Sequence, residues 1–153
     1  MRAFFLLAIF VPLFSFAETE CRPSAGSCEL YLCKEREMSC GEKGYWLNYG
    51  LSFCEKFLRN EHSFSPACRS WLPKVRLCLQ NQVQELNDVG SCNELRRRAL
   101  HGHIDCYLHT GFCELSGRDQ FQVLWELRSA LGEVQTWQES YLLAQACSSA
   151  RAP

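Results

Sequence analysis

Eleven cysteines fall between Cys21 and Cys147, directly behind a leader that opens Met-Arg-Ala-Phe-Phe-Leu-Leu-Ala. Thiols at that density in an exported chain read as a covalent framework, not as a set of reactive groups. The count is odd. Five bridges leave one sulfur over, either buried as a free thiol or joined to another molecule.

The leader carries one basic residue, Arg2, then an apolar run from Ala3 to Phe14, then small residues at Ser15 and Ala17, where a signal peptidase reads its minus-three and minus-one positions. Residues 1–17 are therefore expected to be a signal peptide cleaved after Ala17, and residues 18–153 a single domain that is secreted and extracellular. About 136 residues remain after cleavage, room for one core and not two. No later stretch approaches ~18 consecutive apolar residues, so no membrane span is expected. The formal charge is -1 with both signs interspersed, which offers no basic stripe for nucleic acid or anionic lipid. The run Arg96-Arg97-Arg98 fans around a helix instead of sharing a face, and reads as solvated surface.

The periodicity past the leader is helical throughout. Between Gly44 and Leu58 the residues Leu47, Leu51, Cys54 and Phe57 or Leu58 recur at helical spacing. Ser65-Pro66 reads as an N-cap followed by proline in the first turn, and Trp71, Leu72, Val75, Cys78, Leu79 and Val83 carry that apolar face to about Asp88. Pro73 interrupts it, and a split at Pro73 is expected. Gly90 stops this helix, and Ser91 with Glu94 forms a capping box for a third, about Cys92 to His109, burying Leu100, Ile104 and Tyr107 or Leu108. Gly102 weakens that helix by ~1 kcal/mol relative to alanine. A fourth segment, about Asp119 to Leu131, shows Phe121, Leu124, Trp125 and Leu131; a fifth, Glu133 to Cys147, shows Trp137, Tyr141 and Leu142 or Leu143, either separate from the fourth or continuous with it through Gly132. The expected fold is all-α, a disulfide-stapled domain of about four to five helices.

Cysteine intervals bring a family into view. Cys54 and Cys78 are separated by 23 residues that include Phe57-Leu58, Phe64 and Trp71-Leu72, and Cys92 and Cys106 by 13, followed by Tyr107 and then Cys113. This resembles stanniocalcin, the secreted, disulfide-rich, helical glycoprotein hormone, over roughly Cys21 to Cys147. The resemblance implies the pairs Cys21 with Cys33, Cys28 with Cys54, Cys40 with Cys92, Cys78 with Cys106 and Cys113 with Cys147. It leaves Cys68. Unaided, the cysteines allow on the order of 10,000 five-bridge pairings. The resemblance further implies a factor that binds an extracellular protein or receptor, connected with calcium and phosphate handling.

Departures from the family pattern matter as well. None of Asn48, Asn60, Asn81, Asn87 or Asn93 has Ser or Thr two residues on, so no N-linked glycan is expected. The family's longer tail, with its subunit-linking cysteine, is not expected beyond Pro153. Cys68 sits where the family has no cysteine, leaving two readings open: a buried apolar thiol, or a disulfide to a second subunit in a homodimer or to a partner.

Catalysis is not expected, and neither is a cofactor. His103-Ile104-Asp105-Cys106-Tyr107 resembles the secreted phospholipase A2 motif, which implies a calcium-dependent hydrolase as the alternative, but an isoleucine intervenes between His and Asp and the glycine-rich calcium loop is absent. His101, His103 and His109 with Asp105 are candidate metal ligands. On a helix, positions 101 and 103 point about 200° apart, so surface histidines are the plainer reading and no metal site is expected. Tyr45, Trp46 and Tyr49 would line a ligand groove or, more simply, fill core.

Overall fold

The computed structural model describes residues 21–86, 88–130 and 134–150. The expected leader, Leu131 and Gly132 lie outside them. In chain order the elements are α1 (Glu29–Met38), a π-helical segment (Tyr45–Leu51) running directly into α2 (Ser52–Asn60), α3 (Pro66–Gln84), α4 (Cys92–His109), α5 (Gly117–Glu126) and α6 (Val134–Ala150), with short 3-10 turns flanking α5 and following α2. The described residues form no strand, and the all-α expectation holds with six α-helices in place of four to five.

The additional helix is α1. Only Leu30, Tyr31 and Cys33 of it are buried, too few to print a periodic stripe, and it is held by covalent bonds to its surroundings. Bridges join Cys21 to Cys33 and Cys28 to Cys54, so both ends of the segment around α1 are tied down. Three further bridges join Cys40 to Cys92, Cys78 to Cys106 and Cys113 to Cys147. These are the five pairs that the stanniocalcin resemblance implies.

Hydrogen bonds from α3 then strap the extended chain ahead of α1. The fully buried Gln80 accepts from Ser24 N at 3.0 Å and donates to Ser24 O at 2.9 Å and Ser27 O at 2.8 Å. Arg76 donates to Ala25 O and pairs with Glu61 at 3.3 Å. Each such bond contributes about 1 kcal/mol net, but leaving a buried partner unpaired costs about 1–3 kcal/mol, so the strap works chiefly by forbidding alternatives.

α3 begins as the sequence indicates, with Ser65 accepting from Cys68 N at 3.1 Å and Pro66 in the first turn. It does not split at Pro73. An internal proline costs ~3 kcal/mol, whereas fully burying a large apolar side chain gains about 1.5–3 kcal/mol, and Trp71, Leu72 and Val75 on either side of it are all buried. Packing therefore outweighs the lost hydrogen bond. The helix ends at Gln84, earlier than expected.

α4 starts on the expected cap: Ser91 accepts from Glu94 N at 3.2 Å. The return bond from Glu94 goes to Gly90 N, one residue upstream of the usual partner. Leu95, Ala99, Leu100, His103 and Cys106 are its buried residues; Ile104 is only half-buried. Gly102 lets Gln82 of α3 lie against the α4 backbone, since a Cβ there would sit 1.8 Å from Gln82 Nε2. Arg97 is exposed and Arg98 pairs with Asp88 at 2.9 Å, in line with a solvated run.

Two apolar clusters result. One gathers Leu30, Tyr31, Tyr45, Trp46, Val83 and Leu95 around α1 and the π-helical segment; the other gathers Trp71, Leu72, Phe112, Val123 and Leu143 around α3 and α6. The π-helical turn, closing i to i+5 bonds, buries Tyr45, Trp46 and Tyr49, while Leu47 and Leu51, expected to face the core, are half-buried.

Gly50 decides how closely that turn approaches α1. A Cβ at Gly50 would lie 2.4 Å from Cδ1 and 2.5 Å from Cε1 of Tyr31, a ring that is itself 3% exposed and has nowhere to go. Replacing a helical glycine by alanine ordinarily stabilises by up to ~1 kcal/mol. Here the sign reverses: Gly50→Ala is expected to destabilise by about 1–3 kcal/mol, read by urea unfolding beside Gly26→Ala, whose Cβ meets nothing within 4 Å. A Gly50→Ala protein as stable as the parent would contradict this packing.

Candidate functional site

The two clusters meet at a seam crossed by α4. A cavity of about 50 Å³ lies there, walled by aromatic rings from the π-helical segment, α2, α3 and α4, among them Tyr45, Tyr49, Phe57, Trp71 and Tyr107. An apolar cavity known to admit a benzene ring measures roughly 150 Å³, about three times the volume of this one. Tyr45, Trp46 and Tyr49 are all buried, so the core reading of these three residues prevails over the groove reading.

His103 faces this cavity from α4 and is 6% exposed. Its Nε2 lies 3.2 Å from the Tyr45 hydroxyl, with the Tyr49 ring centroid 5.5 Å away and the Tyr107 ring edge-on at 6.4 Å. Burial drives its pKa down to about 4, since an imidazolium there would lose its hydration shell. The surface-histidine expectation is thus corrected for this residue. Leu95, Ala99, His103 and Cys106 are spaced by four, four and three, so His103 occupies a core position of the α4 stripe, a signal readable from the sequence. His101, His109 and Asp105 are exposed. The four candidate ligands do not converge: among the described residues the grouping that approaches metal-ligand geometry is Cys21, Cys33 and Glu37, and its two sulfurs are bonded to each other.

Cys68 is the free thiol, with no exposed surface. Burial pushes its pKa up to about 11, and the nearby Asp119 carboxylate adds to the rise, so the sulfur stays protonated and unreactive. The surroundings explain why Asp119 is there. Its Oδ2 accepts from Ser65, the N-cap of α3, at 2.9 Å and from Ser116, the N-cap of α5, at 2.8 Å, so one buried carboxylate joins the starts of two helices. Of the two readings of Cys68, the enclosed thiol is the one observed.

Outside the cores, two pairs of aromatic residues stand in solvent. Phe121 and Trp125 on α5 are 65% and 53% exposed, and Trp137 and Tyr141 on α6 are 60% and 64% exposed. Both pairs have i, i+4 spacing on their helices, the spacing that the sequence offers as core. The real inward contacts of these helices are Val123 on α5 and Leu143 with Cys147 on α6. No described helix is long and apolar enough to cross a membrane. No protein-family model, curated protein or solved structure matches this chain.

The site generates a pH dependence with a definite sign. The folded-state pKa of His103, about 4, lies below the 6.5 of an unperturbed imidazole, so between these values the unfolded chain binds a proton that the native chain refuses. Stability is full above about pH 6.5 and falls as the pH drops toward 4. Between pH 7 and pH 5 the loss from this group is about 2 kcal/mol. In His103→Gln, which has no proton to take up, the fall measured by urea unfolding at the two pH values should be smaller by that amount; equal falls in both proteins would show that His103 is not held neutral by burial.

Proposed function

We propose that this chain is a secreted, non-enzymatic binding factor of the stanniocalcin type, released by cleavage after Ala17 and acting on an extracellular protein receptor in calcium and phosphate handling. The observation that carries the reading is the set of five bridges, which joins the same pairs that the resemblance implies. A disulfide framework of this density belongs to an oxidising compartment.

The recognition surface in this reading is the outer side of α6. Trp137, Tyr141 and Leu142 stand out from a helix whose inner side is tied down by Leu143 and by the Cys113–Cys147 bridge. Exposed tryptophan and tyrosine on a rigid support carry a large share of the energy at protein interfaces. The hydrolase alternative draws no support from His103. A general base of that kind works on a solvent-reached substrate with a carboxylate behind it, and His103 is enclosed by aromatic rings, with the Tyr45 hydroxyl as its partner while Asp105 is exposed.

Labelled, oxidised protein is expected to bind epithelial cells saturably, to be displaced by excess unlabelled protein, and to alter calcium or phosphate uptake. Trp137→Ala with Tyr141→Ala should weaken that binding by roughly thirtyfold or more, the size of an interface hot spot. Mild protease treatment of the cells should abolish it. Non-saturable binding, or uptake unchanged at saturation, would overturn the reading.

A further inference from the structure

The outward face of α5 has a composition that neither the core nor a receptor-binding α6 accounts for. Phe121 and Trp125 stack with centroids 6.1 Å apart, and Arg128, in the 3-10 turn that follows α5, lays its guanidinium 4.5 Å over the Trp125 ring and donates to Trp125 O at 2.8 Å. Arg118 lies one turn before Phe121, and an open groove of about 300 Å³ runs between Arg118, Phe121, Gln122 and Trp125. Arg118 and Arg128 are both exposed.

The carboxylates of the same helix are turned the other way. Asp119 is buried between the two cap serines, and Glu126 pairs with Lys56 at 3.3 Å and accepts from Asn60 at 3.3 Å. What faces solvent along α5 and the 3-10 turn after it is therefore apolar rings between two cations, which corrects for this one face the expectation, drawn from a near-neutral chain with interspersed charges, that nothing here suits an anionic lipid. The backbone under this face is firmly placed: Ser116 caps the helix, and the Gln120 amide donates to Leu115 O at 2.9 Å and Phe112 O at 3.3 Å.

We propose that this face, Arg118, Phe121, Trp125 and Arg128, docks the protein on a lipid bilayer bearing anionic headgroups. Charge complementarity selects an anionic occupant, and the rings narrow it further. A sulfated glycan or acidic peptide would satisfy the arginines while leaving two half-to-two-thirds exposed rings against water on a convex helix. A bilayer interface supplies both environments within one thin layer, since tryptophan and phenylalanine settle at the headgroup boundary while arginine side chains reach the phosphates. With so few contacts the attachment is reversible and depends on salt.

The test uses protein-free vesicles, so its outcome is independent of any protein receptor. The full oxidised chain should co-sediment with phosphatidylcholine vesicles containing phosphatidylserine and release as salt rises. The double variant R118Q/R128Q should bind them about thirtyfold more weakly, from ~1 kcal/mol per basic side chain near an anionic surface. The variant F121S/W125S should also lose binding, whereas W137A/Y141A should not. Equal binding to vesicles of phosphatidylcholine alone would overturn the proposal, as would retention on heparin without vesicle binding, or concentration-dependent self-association that the α5 variants abolish.

Discussion

The structure depends on α4 being covalently fixed at both ends to different parts of the chain. Cys92 in its first turn is joined to Cys40, beyond α1, and Cys106 in its last turn is joined to Cys78 on α3. The Cys40–Cys92 bridge spans the longest stretch, with a sequence separation of 52, and in the chain-entropy account a loop of that size contributes about 4 kcal/mol through the unfolded state. That is comparable to the whole net stability of many small domains. With α4 held in this way, its upper residues Leu95, Ala99 and Leu100 pack into one apolar cluster and Cys106 into the other.

A helix shared between two clusters leaves a seam, and several otherwise odd features gather there. His103 lies where the clusters meet, neutral and enclosed. Aromatic side chains of the π-helical segment and Trp71 line the small cavity beside it. The price of imperfect packing at the seam is tolerable because neither half can separate far: bridges confine each half, and α4 itself ties the halves together.

Much of this was legible in the residues. The limits of α4, its Ser91 cap, and the Ser65-Pro66 start of α3 follow from local chemistry that acts within one turn, and local rules are what a sequence displays most directly. α1 was not legible, because disulfides stand in for the apolar stripe that would have announced it. Pro73 misled because its penalty is local while the burial of Trp71, Leu72 and Val75 that overrides it is tertiary. The aromatic residues of α5 and α6 have core-like spacing, yet periodicity cannot tell a stripe that is buried from one left in solvent. His103 was legible in principle, being in step with Leu95, Ala99 and Cys106, but its polarity argued for the surface.

The covalent framework is the claim on which the rest stands, and peptide mapping of the unreduced protein, alkylated before and after denaturation, tests it in one experiment. Proteolysis should release Cys40 and Cys92 on one linked pair of peptides, with the other four bridges as observed, and Cys68 labelled only when denaturant is present. Cys40 joined to any other cysteine, or Cys68 labelled in the native protein, would contradict the account.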